Sequence, residues 1–248
     1  MSGLGWLTAR PIAHRGLHDA AAGVIENTAS AFSAAIARGY SIECDLQISA
    51  DGEAMVYHDE ALGRLTAGNA RLAEMRAVEI RRACFKESAD RIMTLGELCD
   101  LVAGHAALVI ELKSHFDGDR RLVRRVVDVL GRYHGRAAVM SFDPGMIELV
   151  RSIAPQLTRG LVAEHHHADN ESGALPVGEK HRMARLLHVI RTRPQFLAYA
   201  VHDLPAAVPL IARAIFRLPL LTWTVRNEAD CARGVRWADQ IIFEGWRP

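Results

Sequence analysis

Thr28-Ala29-Ser30-Ala31-Phe32-Ser33-Ala34-Ala35-Ile36-Ala37-Arg38, then Gly39-Tyr40, then Ser41-Ile42-Glu43-Cys44-Asp45-Leu46-Gln47-Ile48, is one helix–strand repeat. The first segment follows Asn27, a good N-cap, and stops before Gly39, a residue suited to a helix C-cap. The second has strand length and is apolar apart from charged and polar residues at alternate positions. Side chains alternate across a strand, so Glu43 and Asp45 share a face.

The same alternation runs to both ends of the chain. The other strand candidates are Pro11–Gly16, Ala107–Lys113, Ala137–Phe142, Thr158–Ala163, Gln195–Val201, Leu220–Val225 and Gln240–Glu244. Helical stretches are Thr28–Arg38, Thr94–Ala103, Gly118–Tyr133, Pro144–Ile153, Gly178–Arg191, Pro205–Phe216 and Glu228–Arg236. Thr94-x-x-Glu97 is a capping-box pattern, and Asn227 is positioned to cap the last helix. Strand–helix alternation of this kind builds a parallel sheet, because each parallel crossover needs a connecting helix. Eight strands in 248 residues fit a closed (β/α)8 TIM barrel better than an open sheet.

One region breaks the rhythm. Ser49-Ala50-Asp51-Gly52-Glu53 is a turn, and Ala54–Asp59 returns as a strand too soon to be parallel. Residues 51–91 therefore read as a small insertion after strand two, with a polar helix around Leu72–Arg82, inside one domain spanning 1–248. Glu164–Gly178 reads as a second irregular stretch, a polar loop after strand five.

Half the residues are hydrophobic and the formal net charge is +1, so nothing argues for a nucleic-acid partner. Arg120-Arg121 and Arg124-Arg125 alternate with Leu122, Val123, Val126 and Val127, as on an amphipathic helix with a solvated face. Cys44, Cys84, Cys99 and Cys231 are far apart and lack metal-site spacing, which argues against zinc and for reduced thiols. The N-terminus lacks the pattern of a secretory signal, and no apolar run is long enough to cross a bilayer. These features imply a cytoplasmic protein. Ala206–Leu221 reads as a packed helix and strand; contact with a membrane surface is the sharper alternative.

The chemistry gathers where barrel sites lie, at the C-terminal ends of the strands. His14-Arg15 ends strand one, Glu43 and Asp45 lie on strand two, and Glu111 and Lys113 lie on strand three. His58-Asp59 ends the hairpin's return strand. Charges on apolar strands cost several kcal/mol unless they are paired or bound to a metal. Glu43, Asp45 and Glu111 are the metal-ligand candidates, since converging carboxylates suit a hard divalent cation such as Mg2+ or Ca2+. The bland alternative is ion pairing with Arg15 and Lys113. His14 and His58 are the candidates for general acid and base. Arg15, assisted by Lys113, is suited to phosphate oxygens. Glu26-Asn27-Thr28 reads as a helix cap whose carboxylate pairs Arg15 or His14, with a direct catalytic role as the alternative, and Asp59 as a residue that either orients His58 or contacts the hairpin backbone. Trp223 either walls the pocket or belongs to the core. His165-His166-His167 reads as a solvated loop, because adjacent side chains diverge. Together these groups suggest metal-assisted cleavage of a phosphate ester.

Ala13-His14-Arg15-Gly16, Glu26-Asn27-Thr28, Glu43-x-Asp45, His58-Asp59, Thr94-Leu95-x-Glu97-Leu98, Glu111-x-Lys113 and Trp223-Thr224-Val225 resemble, in order, the glycerophosphodiester phosphodiesterase family. The resemblance implies a TIM barrel with a small insertion after strand two. It implies hydrolysis of small glycerophosphodiesters to an alcohol and glycerol 3-phosphate with one divalent cation, commonly Mg2+ or Ca2+. Carried over, His14 and His58 look like the acid–base pair, and Glu43, Asp45 and Glu111 like metal ligands. Arg15 and Lys113 look like phosphate contacts. Two features depart from the family: the insertion is short, which implies a more open pocket, and Phe243-Glu244 stands where Thr-Asp is common. The rival readings are a lysophospholipase D at a membrane surface and a non-catalytic phosphoester-binding barrel.

Overall fold

The computed structural model describes residues 3–165 and 187–248. Its strands are β1 (Ile12–Ala13), β2 (Ser41–Ile48), β3 (Ala54–Val56), β4 (Leu108–Leu112), β5 (Ala137–Ser141), β6 (Thr158–Ala163), β7 (Phe196–Ala200), β8 (Leu220–Val225) and β9 (Gln240–Phe243). Its α-helices are α1 (Ala29–Ala37), α2 (Ala77–Ile80), α3 (Leu95–Val102), α4 (Arg121–Leu130), α5 (Pro144–Ile153), α6 (Val189–Thr192), α7 (Ala207–Phe216) and α8 (Glu228–Trp237). The hydrogen-bonded order is β1-β9-β8-β7-β6-β5-β4-β2-β3, and β1 also pairs with β2, so the order returns on itself. This is the (β/α)8 barrel, with β3 as the extra strand of a small insertion. Most of the helix expected over Gly178–Arg191 lies outside the described residues, as do His166 and His167.

The described chain clusters into two compact units. The first comprises Ala13–Lys113 and Arg120–Ala137. Every residue of β2 is buried, including its carboxylates. β2 pairs in parallel with β4, with Asp45 opposite Glu111. It pairs antiparallel with β3, with Ile48 opposite Ala54. The turn between them is held by Ser49, whose Oγ accepts from the Glu53 N–H at 2.8 Å.

The insertion packs a small core of Met55, Tyr57, Leu62, Leu72, Ile80 and Phe85, joined by Ile25 and Ile92 from outside it. The single helix expected around Leu72–Arg82 is instead two short turns, a 3-10 turn at Leu72–Glu74 and α2. Leu72 and Ile80 are both buried, and the backbone breaks between them at extended Met75 and Arg76.

The cap of α1 also differs from expectation. Thr28, not Asn27, accepts from the Ala31 N–H at 3.4 Å. Asn27 is drawn into the left-handed region, φ 57°, by a different partner described below. Gly16 is fixed by space as well as by its φ of 80°, since a Cβ there would lie 2.8 Å from the Ala31 Cβ. α3 carries the anticipated capping box between Thr94 and Glu97. α4 buries Leu122, Val123 and Val126 of the apolar residues read from its arginine-rich segment; Leu130 completes the buried face, while Val127 is only half-buried.

The second unit comprises Met1–Ile12, Ser114–Asp119 and Ala138–Pro248. β6, β7 and β8 pair in parallel and bury an almost wholly apolar set, with Leu161, Ala163, Leu197, Tyr199 and Leu220 in one cluster. Gly160 makes room for Phe196, whose ring lies 2.4 Å from where a Gly160 Cβ would stand. Asn227 caps α8 as anticipated, accepting from the Asp230 N–H at 2.9 Å. No helix among the described residues is long and apolar enough to cross a membrane.

Candidate metal centre

Glu43 and Asp45 lie on one face of β2, and the parallel register sets Glu111 of β4 beside Asp45. One carboxylate oxygen from each of the three lies within 4.8 Å of the others, and all three residues are buried. Buried like charges at this spacing repel strongly, so the surroundings must compensate.

Compensation is uneven across the cluster. Asp45 receives most of it. Lys113 Nζ lies 3.2 Å from its Oδ1 and Arg15 Nε lies 3.1 Å from its Oδ2. Asn27 Nδ2 donates to Oδ2 at 2.9 Å, and the Asp45 N–H returns a bond to Asn27 Oδ1 at 3.3 Å. Burial by itself would lift the Asp45 pKa, but Lys113 and then Arg15 outweigh it and hold the carboxyl well below its usual range. Glu111 shares Lys113 at 2.8 Å.

Glu43 has much less support. Its Oε2 accepts the Arg15 backbone N–H at 2.9 Å and lies 3.9 Å from His14 Nε2. Its Oε1 is buried with no hydrogen-bond partner among the described residues. Burial, then the charges of Asp45 and Glu111, push its pKa well above the normal carboxylate value. A buried carboxylate oxygen lacking a donor, beside two further carboxylates, fits a hard divalent cation, which takes oxygen ligands and removes the repulsion. Glu43, Asp45 and Glu111 are the residues that can hold it. Cationic side chains and cation ligation are therefore not alternatives here: Arg15 and Lys113 pair with Asp45 and Glu111, but Glu43 is only partly compensated.

His14 and Arg15 follow β1 directly, and Arg15 has a positive φ of 54°. This left-handed turn aims the backbone N–H at Glu43 while the side chain reaches Asp45 and Glu26. It is local strain held by surrounding bonds. Arg15 Nη1 meets Glu26 Oε1 at 2.8 Å, the pairing anticipated for that loop carboxylate. Arg15 keeps its charge despite burial because Asp45, Glu26 and Glu43 all face it.

His58 Nδ1 lies 2.8 Å from Asp59 Oδ1, and the His58 carbonyl accepts from Gln47 Nε2 at 2.8 Å. Burial would raise the Asp59 pKa, but His58 and Arg64 hold it well below the usual range. Arg64, on the insertion, bonds both Asp59 and Glu26. Sequence reading missed Arg64 entirely, and it read Asn27 first as a cap, with a direct catalytic role for its motif as the alternative. The usable signal for Asn27 is its residue type, since Asn tolerates the left-handed turn; Arg64 carries no local pattern.

Trp223 lies in the second unit, edge-on to Phe142 at 5.6 Å. Its Nε1 is buried with no hydrogen-bond partner among the described residues. Glu244, where the last strand departs from the family pattern, pairs with Arg226 at 2.7 Å. His165 is exposed, and its N–H donates to Asp203 at 2.6 Å.

A (β/α)8 barrel with three buried acids on neighbouring strands belongs to the barrels built to hold a divalent cation at such a cluster. The particular family follows from the sequence as a whole. The model of the glycerophosphoryl diester phosphodiesterase family matches residues 14–243, and the chain belongs to that family. A glycerophosphodiester phosphodiesterase of Caldanaerobacter subterraneus subsp. tengcongensis is 32% identical over 161 residues, 61% of this chain and 65% of that protein. Among the first curated relatives it matches, the chain spans between 44% and 65% of their length. A Silicibacter pomeroyi protein of known crystal structure, assigned as a glycerophosphoryl diester phosphodiesterase, is 26% identical with a TM-score of 0.75, covering 94% of this chain and 89% of that one. An Oleispira antarctica phosphodiesterase, solved in complex with the product sn-glycerol-3-phosphate, shares the fold at a TM-score of 0.76 and 19% identity, over 96% and 94% of the two chains.

Proposed function

We propose that this chain, working as a single domain over 1–248 with an insertion at 51–91, hydrolyses small glycerophosphodiesters to an alcohol and glycerol 3-phosphate. It does so with one divalent cation, Mg2+ or Ca2+, held by Glu43, Asp45 and Glu111. The observation that carries this reading is the buried, under-compensated Glu43 within a three-carboxylate cluster, in a chain matched by the family model over residues 14–243. A barrel of the same fold binds sn-glycerol-3-phosphate, which is the product proposed here.

A cation bound there would neutralise phosphate charge and lower the pKa of an attacking hydroxyl. Arg15 and Lys113 are assigned to the phosphate oxygens. Both already sit among carboxylates, so each is fixed in place before substrate arrives. His14 and His58 are assigned to the proton transfers, one taking the proton of the attacking hydroxyl and the other giving one to the leaving alcohol oxygen. Asp59 at His58 Nδ1 directs exchange to Nε2, the logic of any base oriented by a third group. The attacking hydroxyl is taken to be the substrate's own glycerol 2-hydroxyl, and water is the competing nucleophile. A cyclic phosphate trapped with His14→Ala or His58→Ala distinguishes the two routes. Trp223 is assigned to the substrate on the basis of its family motif and its indole N–H, which has no hydrogen-bond partner among the described residues.

The direct test is release of glycerol 3-phosphate from glycerophosphocholine with and without EDTA. Turnover that stops with chelator and returns with Mg2+ or Ca2+ is expected. Tight binding of diesters without turnover would instead identify a binding barrel.

One observation favours a second reading, a lysophospholipase D at a membrane surface. The outer face of α7 exposes Val208, Ile211, Ile215 and Phe216, where a surface helix ordinarily carries charge. Comparing lysophosphatidylcholine vesicles with glycerophosphocholine in the same assay separates the two. A cytoplasmic location belongs to this proposal too, supported by four free cysteines.

A further inference from the structure

We propose that Arg64, delivered by the insertion, is a positioning residue that holds His58 and Arg15 in one fixed arrangement. The inference rests on the function proposed above.

The geometry is a double fork. Arg64 Nε donates to Asp59 Oδ2 at 2.7 Å and Nη2 to Asp59 Oδ1 at 3.0 Å. Nη2 also donates to Glu26 Oε1 at 2.7 Å, and Nη1 to Glu26 Oε2 at 3.1 Å. Each carboxylate then passes the constraint on. Asp59 Oδ1 meets His58 Nδ1 at 2.8 Å, and Glu26 Oε1 meets Arg15 Nη1 at 2.8 Å. One guanidinium therefore links the proposed proton carrier to the proposed phosphate contact through two relays. Only a planar guanidinium can serve two carboxylates this way; an ammonium is a point donor.

The position is built, not incidental. Leu62, two residues before Arg64, is buried in the insertion's own core. Gly63 holds a φ of 128°, and a Cβ there would lie 3.1 Å from the Gly68 carbonyl oxygen. Lys86 Nζ donates to the carbonyls of Gly63 and Arg64. The Arg64 side chain is 45% exposed, but Glu26 and Asp59 are only 13% and 22% exposed. Without Arg64, two half-enclosed carboxylates would face each other, and both relays would loosen. The insertion thus serves the site directly, because it carries the clamp to the proposed catalytic groups.

Arg64→Ala is expected to lower kcat on glycerophosphocholine about 10–100-fold, the usual cost of losing such a supporting contact. KM should rise as Arg15 loosens. Millimolar guanidinium ion should restore part of the lost kcat, whereas Arg64→Lys, charged but without the fork, should stay closer to the alanine variant than to wild type. An independent readout is the His58 Nδ1–H signal in 15N-histidine NMR, identified by its absence in His58→Ala. That proton should be hydrogen-bonded and slow to exchange in wild type, and broadened or shifted in Arg64→Ala. If the wild-type chain turns over no diester, the functional reading fails while the NMR arm still tests Arg64. An Arg64→Ala protein with wild-type kcat, or with an unchanged His58 signal, overturns the proposal.

Discussion

β2–β4 and β6–β7 are both parallel pairs buried in the same fold, yet they are built on opposite chemistry. β6 and β7 bury Leu161, Val162, Ala163, Phe196, Leu197 and Tyr199, for about 1.5–3 kcal/mol of apolar burial per large side chain, and their one buried charge, Arg159, is satisfied by the Thr192 and Pro155 carbonyls and Gln195. β2 and β4 bury Glu43, Asp45 and Glu111 among equally apolar neighbours. Those carboxylates stabilise nothing by being buried. Asp45 faces the Lys113 and Arg15 cations and the Asn27 amide, whereas Glu43 meets only the Arg15 backbone N–H and His14, and its Oε1 has no hydrogen-bond partner among the described residues. The contrast teaches that β2–β4 carries charge suited to a divalent cation, whereas β6–β7 serves the packing of the fold.

The sharpest way to break this contrast is Glu43→Gln. The substitution keeps shape and removes a ligand, so turnover should be abolished while the cation-free fold survives. The rise in Tm that saturating Mg2+ or Ca2+ gives wild type, equivalent to about 2.7 kcal/mol at one hundred times Kd, should vanish in the variant. A variant that keeps its activity, or that melts far below cation-free wild type, contradicts the assignment.

His58→Ala comes next, with an expected fall in kcat of about 10²–10⁴-fold, the range for a general acid or base. Cation-induced stabilisation should persist, because His58 is assigned to protons and not to the ion. Loss of both together would place the imidazole among the ligands.

On the apolar side, Phe196→Ala should cost about 3–5 kcal/mol. Phe196 is fully buried and packs on Gly160. Chemical denaturation checks the value, and cation affinity of the remaining folded protein should be close to wild type. A large change in affinity with little loss of stability would show that the two strand pairs are not separate in function.

The smallest effect concerns acid. Glu26 and Asp59 are both held below their usual pKa, in each case because paired cations outweigh burial. A depressed carboxyl contributes stability that is present above its unfolded pKa of about 4 and is lost as pH falls through the folded value. Wild type should therefore lose stability below about pH 4 more steeply than Arg64→Ala. The difference should stay under about 1 kcal/mol, because Arg64 is 45% exposed and solvent screens it. Parallel acid-melting curves would remove this account.

Legibility differs by region for physical reasons. β2, β6, β8 and α5 are readable to the residue, because each has the apolar periodicity of its type and is bounded by strong breakers such as Gly39, Pro144, Pro155 and Asn227. β1 is overread as Pro11–Gly16, since the chain leaves the strand at Ala13 to turn through Arg15 at positive φ. The Leu72–Arg82 helix is overread because its apolar residues serve a small local core, which two short turns fill better than one continuous helix. Asn27 is misassigned as a cap because the buried Asp45 carboxylate binds its side chain more strongly than free helix N–H groups would.

By itself the sequence determined the strand–helix alternation and the shared face of Glu43 and Asp45, because both follow from periodicities of the backbone acting over a few residues. Only the tertiary structure decided that Asp45 stands opposite Glu111, that Glu43 Oε1 finds no donor among the described residues, and that Arg64 clamps Glu26 and Asp59 together. Those facts depend on register between separate strands and on where an insertion folds back. They are set by packing and by the dielectric of a buried site, which no local pattern encodes.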